Sequence, residues 1–369
     1  MRPVKQAGVV STHTLLAFAP VASLGVGGSL VLLHVTREAF LFVSSCMLTY
    51  SAMDLARSGW RHFYWRRFLS VGLPYICWTC IYFCLTLRSS GDTGFAAFAH
   101  LMYLLGTGYY QLYYLIVVMQ FYVIFPLLLF LIRRIHRHDL LLAVSGIVQV
   151  VFISLMHWGV LPSTMRGFWA SREITSYQFY LLAGMVVAFH LDQVHDWLRS
   201  HVRLIVLATV VTAAVAEAWF TIATTGAESW LGDASDPFQP IVIPFNVAAI
   251  AAIYVLGVYL VDERRSRRTR AIVRVGSDYS YSVYLAQMVF ITALTWLGWR
   301  SLDHTFSWPV VSVATMGLVY LACVVLGVLL ARTRLSVALT GRPRQSWGTL
   351  VTHLPKVCKG ANAEGITKT

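Results

Sequence analysis

The chain has 369 residues, of which 57% are hydrophobic and 12% charged, where an ordinary soluble domain carries about a quarter charged residues. Its apolar residues come in unbroken blocks of roughly 20, the length that crosses a bilayer, which excludes a soluble globular fold. The net charge of +13 would point to nucleic acid in a soluble chain, but here it has a topological cause.

In chain order the blocks predict membrane spans over 6–25, 28–52, 66–88, 110–132, 140–160, 175–191, 203–223, 239–261, 278–298 and 308–331. The stretch 94–107 is apolar but interrupted by glycine, and reads as a re-entrant or interfacial segment. The expected fold is therefore all-α: a polytopic membrane helical bundle of about ten transmembrane helices over 1–331. A basic cytoplasmic tail of disordered composition follows over 332–369.

With the N-terminus inside, 24 of the 29 Lys and Arg fall on the inner side. The exceptions are Arg37, Arg88, Arg166, Arg172 and Arg300, and the outer loop 223–239 carries Glu228, Asp233 and Asp236. This bias follows the positive-inside rule and places both termini in the cytoplasm, in a plasma-membrane protein. The arginines from 264 to 274 are also suited to anionic lipid. The first block has a basic start like a signal peptide, but Thr12-His13-Thr14 interrupts its apolar run, so it is expected to stay as a span.

Polar groups inside spans are costly and mark function by default. His13 stands in the first span, eleven residues after Arg2. At 100° per residue both leave the same helix face, about 16 Å apart along the axis. An arginine at headgroup level and a histidine deep inside suit a long donor with an anionic head and a reactive tip, such as a coenzyme A thioester. The competing reading gives His13 a hydrogen bond to a neighbouring helix and Arg2 no more than a topological role. Arg37 lies roughly 14 Å inside the second span and requires a partner or a watery cavity. Its structural alternative is an ion pair with Glu38 or with Glu217. Glu217, in the seventh span, is a candidate to orient a histidine or to pair with Arg37.

Other candidates are weaker. Cys77-Trp-Thr-Cys80 is a formal CxxC inside an apolar run and reads as packed thiols. His190, His195 and His201, with Asp192 and Asp196, do not share a helix face, so no metal is expected there.

Several segments taken together resemble the membrane-bound acyltransferase-3 family. They are Arg2 and His13 with ten residues between them, Arg37-Glu-Ala-Phe-Leu-Phe-Val-Ser-Ser-Cys-Met-Leu, and Tyr64-Trp-Arg66-Arg67 running to Pro74-Tyr75. Gln111-Leu-Tyr113-Tyr114-Leu, followed by Tyr122 and Pro126, and Ser280-Tyr-Ser-Val-Tyr284-Leu-Ala-Gln287 complete the set, in the family's order over 2–290. Five positions depart from it: Ser45-Cys46 replaces Gly-Phe, Ser70 replaces an arginine, and Gln111 and Gln287 replace histidines.

The resemblance implies acyl transfer, of acetyl by preference, from cytosolic acyl-CoA to a hydroxyl of a sugar, cell-surface glycan, glycolipid or natural product. It implies His13 as catalytic base or acyl carrier, and Arg2, Arg37, Arg66 and Arg67 as donor-binding or oxyanion residues. Glu38 and Glu217 remain structural or orienting candidates. The implied partners are acyl-CoA as co-substrate, a hydroxyl-bearing glycan or lipid acceptor and the bilayer, with no permanently bound cofactor, no metal and no nucleic acid. The alternative from another class is an exporter of a lipid-linked sugar or polysaccharide. Ten helices with buried charge fit it too, although the paired, interrupted spans of many transporters are not seen.

Overall fold

The computed structural model describes residues 2–19, 23–53, 59–162, 165, 167–225, 234–261, 266–299 and 307–345. The expected sites at Arg57, Arg166, Glu228, Asp233, Arg264, Arg265 and Arg300, and the tail beyond 345, lie outside the described residues, as do the side chains of Arg2 and Lys5. Every described element is a helix or a helical turn.

In order the helices are α1 (Arg2–Phe18), α2 (Leu24–Leu33), α3 (Val35–Ala52), α4 (Trp60–Arg67), α5 (Leu73–Ser90), α6 (Gly94–Thr107), α7 (Tyr113–Arg134) and α8 (His138–His157). Then come α9 (Gln178–Phe189), α10 (Leu191–Ser200), α11 (Val202–Thr225), α12 (Val242–Val261), α13 (Arg267–Trp296), α14 (Trp308–Leu330) and α15 (Ser336–Thr340). Among the described residues seven helical runs are long and apolar enough to cross a bilayer, or eight if α9 and α10, bent by 99°, form one span.

The sequence expectation of about ten also counted α1 and the second half of α13. The first is only 17 residues long. The second keeps Ser280, Ser282 and Gln287 buried, which lowers its apolar content. Both helices are nonetheless interior to the bundle: α1 packs between α13 and α14 and against α2 and α3. The outward faces of several spans are apolar, as lipid-facing ones must be. Ile147 of α8, Leu207 of α11 and Val313 of α14 are 64%, 60% and 65% exposed.

Glycines let helices approach closely. At Gly184 of α9 a Cβ would overlap the Phe42 carbonyl and Ser45 Oγ of α3, so α3 and α9 meet backbone to backbone. Between α4 and α5 the chain makes a π turn, Phe68–Gly72, in which Leu73 N–H bonds back to Phe68 O. Pro74 has no N–H to offer the Ser70 carbonyl, and Gly341 approaches that oxygen so closely that a Cβ would overlap it.

The first part of the expected tail is folded. Trp78 Nε1 donates to Leu339 O (3.0 Å), Gln345 N to Ala331 O (2.8 Å) and Arg344 Nε to Arg332 O (2.8 Å). Residues 332–345 thus cap one end of the bundle.

Three interruptions of helix reach its middle. The first is His34, which separates α2 from α3. The second follows α6, which folds back along α5: His100 packs on Phe83 (ring centroids 5.6 Å), and Tyr75 OH donates to Leu105 O (2.8 Å). Tyr75 is midway along the run Trp60–Ser90, so the turn 108–112 is deep in the bundle. The segment 94–107, expected to be re-entrant or interfacial, adopts this folded-back course. The third interruption is the pair of 3₁₀ turns Ala170–Arg172 and Ile174–Tyr177 before α9.

Non-helical backbone at such depth needs internal hydrogen-bond partners. Side-chain amides supply them: Gln120 of α7 bonds Arg172 O and Ile174 N (both 2.9 Å), and Gln149 of α8 donates to Ser176 O (2.7 Å) and accepts from Phe179 N (3.3 Å). Tyrosines serve the other two breaks, Tyr114 OH donating to Arg37 O (3.0 Å) and Tyr284 OH to Gln111 O.

Candidate active site

The three interruptions enclose a cavity of about 320 Å³. Its wall takes Thr12, His13 and Leu16 from α1, His34, Thr36, Arg37 and Phe40 from the α2–α3 break, Tyr110, Gln111, Tyr113 and Tyr114 from the second turn, and Arg172 from the third. Tyr284 of α13 closes one side.

His13 and Arg37, singled out in the sequence, therefore meet in one cavity. The His13 ring lies 5.2 Å from that of Tyr110, and its Nδ1 is buried without a hydrogen-bond partner. No described carboxylate bonds to it. Tyr110 itself adopts φ +38°, a conformation rare and strained for a bulky residue. The preceding Gly108 (φ +77°) allows the chain to turn there, since a Cβ would overlap the Tyr113 backbone.

The Arg37 guanidinium is held from several sides. Its Nη2 and Nε donate to Glu38 Oε1 at 2.8 and 3.3 Å. Its cation stands 4.6 Å from the Phe238 ring and 5.2 Å from that of Tyr177. Of the open alternatives for its partner, the structure pairs it with Glu38. Glu217 lies elsewhere, its carboxylate against Gly28 of α2.

Other candidates fall outside the cavity. Arg66 is exposed at the end of α4, and Arg67 stacks on Phe63 and Tyr122, 5.4 and 5.5 Å from the ring centres. Arg2 opens α1, eleven residues before His13. His190 bonds His138 (2.8 Å) and His195 bonds Tyr254 OH (2.9 Å), so the two do not share a partner.

Sequence reasoning missed His34, Arg172 and the tyrosines. His34 has its Nδ1 buried and unpartnered, as His13 does. It was visible as an intramembrane histidine three residues before Arg37. Arg172 was counted as an outer-loop charge, because nothing in the sequence says that its loop turns inward.

The arrangement can accommodate a ring-sized ligand between aromatic faces, with two histidines as proton acceptors and two arginines as fixed cations and donors. A family model described as an acyltransferase domain, that of the acyltransferase-3 family, matches residues 7–330. No curated protein and no solved structure matches the chain.

Proposed function

The chain belongs to the acyltransferase-3 family of membrane acyltransferases, and we propose that it moves an acyl group, acetyl by preference, from acyl-CoA to a hydroxyl of a sugar, cell-surface glycan, glycolipid or natural product. The observation that carries this reading is His13, which lines the central cavity beside Arg37 and holds a buried ring nitrogen without a hydrogen-bond partner.

His13 accepts the proton of the acceptor hydroxyl as its oxygen attacks the thioester carbonyl. The carbon–sulfur bond breaks, and the proton passes to the departing thiolate to give free CoA and the ester. The alternative course with the same balance has a His13 nitrogen attack first and carry the acyl group as an acyl-imidazole. Arg37 carries the positive charge that favours the developing oxyanion, and Glu38 fixes its orientation.

On this reading CoA approaches from the end where Arg2, Arg66 and Arg67 lie, the cytoplasmic side by the bias of basic residues. The acyl tip then reaches His13 inside the bundle. The test is transfer of label from [14C]acetyl-CoA to extractable membrane material, with wild type beside His13→Ala in membranes lacking other copies of the protein. Label incorporated by wild type and lost in the variant supports the reading. Equal incorporation by both would remove His13 from the chemistry.

A further inference from the structure

Arg172 is the feature of the cavity that the proposed chemistry leaves unused. Arginine is a permanent cation, and a cation inside a membrane bundle is costly unless an opposite charge meets it. Arg37 meets that need through Glu38 at 2.8 Å. Arg172 is only part-buried, and no ion pair joins it to the adjacent Glu173 or to any other described carboxylate, so its charge is left open to a ligand in the cavity.

The protein nevertheless holds this side chain firmly. Its Nε donates to Thr107 O (2.8 Å), and its Nη1 to Phe168 O (2.7 Å) and Ser171 Oγ (2.9 Å). Its plane lies over the Phe168 ring at 3.4 Å and near that of Tyr113 at 4.9 Å. Three of the five N–H groups are thereby used, and the two on Nη2 have no partner among the described residues. A guanidinium fixed in this way loses little freedom when it binds, and its remaining donors match an oxygen of a carboxylate or phosphate.

We propose that Arg172 is the anion-binding residue of the cavity, and that the anion is a carboxylate or phosphate of the acceptor. The acceptor is then an acidic hydroxyl compound, with its charge at Arg172 and its hydroxyl at His13. This rests on the acyltransferase reading and narrows its substrate class. The donor also carries phosphates, but they lie at the far end of an extended pantetheine arm from the thioester. A cavity of about 320 Å³ that has His13 and Arg172 in one wall cannot enclose both ends of that molecule. The Tyr113 ring, in the cavity wall beside the cation, suits a ring that bears the acid.

The experiment uses the full chain in native membranes with [14C]acetyl-CoA, and separates the labelled product on an anion exchanger before and after mild ester hydrolysis. Wild type is compared with Arg172→Gln and Arg172→Lys, and CoA affinity is measured on each purified protein. The expected product is anionic after deacylation. Arg172→Gln should raise the acceptor concentration needed for half-maximal transfer at least tenfold, Arg172→Lys should recover part of that loss, and CoA affinity should stay within twofold. Inorganic phosphate should compete with the acceptor on wild type but not on Arg172→Gln, a difference that a merely structural arginine would not produce. A neutral product, or Arg172→Gln that transfers with an unchanged acceptor requirement, overturns the proposal. Loss of CoA affinity in Arg172→Gln assigns the anion to the donor and overturns the acceptor assignment. If wild type transfers no label from acetyl-CoA or longer acyl-CoAs, the acyltransferase reading itself fails and this inference falls with it.

Discussion

Tyr110 occupies a position that few tyrosines tolerate, and its ring is what stands against His13. A non-glycine residue held at φ +38° costs roughly 1–3 kcal/mol, which its surroundings must offset. Tyr110→Gly should therefore unfold at a higher temperature than wild type while transferring acyl groups more slowly. Thermal unfolding in detergent beside the transfer rate checks both, and a loss of stability would show that the ring packs more than it strains. Glu38 is a second case. Only 4% of its side chain is exposed, and it answers Arg37, which is 10% exposed. Glu38→Ala should destabilise by roughly 3–5 kcal/mol, because the cation is left buried and uncompensated. The double variant with Arg37→Met should recover a large part of that in the same unfolding measurement. His13 and Arg37 were legible in the sequence because charge and imidazole stand out inside apolar runs. His34 stood out equally but was passed over, since its relation to His13 depends on how α1 lies against the α2–α3 break.

At the level of elements, the bundle is organised by where its helices stop. Gln120 and Gln149 look unremarkable in the sequence, as single amides within spans. Their purpose appears only once the 3₁₀ turns at 170–177 are seen to need donors and acceptors. Gln149→Leu leaves Ser176 O and Phe179 N unpaired, which should cost about 1–3 kcal/mol for the buried backbone groups. Hydrogen exchange should then quicken at the start of α9 before it quickens elsewhere, and uniform exchange would show that the clamp is dispensable. Gly341 closes α15 with φ +67° and lies against Ser70 O. Gly341→Ala meets a left-handed backbone penalty of about 1–2 kcal/mol besides the overlap. It should loosen the 332–345 cap and raise protease sensitivity there, and an unchanged digestion pattern would argue against the packing described. That cap was expected as a disordered tail because its composition is basic and polar. Composition does not report that Pro74 leaves a carbonyl open for a glycine to approach.

On the scale of the whole molecule, a bundle of membrane-crossing helices was legible from block length, since that follows from the bilayer rather than from tertiary detail. The number of spans was less so. A helix shielded by its neighbours can carry Thr12, His13 and Thr14, or Ser280, Ser282 and Gln287, without meeting lipid, so hydropathy alone does not separate a central helix from a short one. The folded-back α6 and the turn at 170–177 bring Arg172, which loop counting places outside, into the wall of the cavity. What unites the molecule is a cavity among the helix interruptions of a lipid-facing bundle, with His13 in its wall. The measurement that tests this most directly is thiol release from acetyl-CoA by the purified protein in the presence of membrane extract, with CoA binding titrated in parallel, for wild type and His13→Ala. The account predicts that His13→Ala binds CoA within a few-fold of wild type while its thiol release falls by about 10²–10⁴, the range of a lost general base. Thiol release by His13→Ala at the wild-type rate would contradict it.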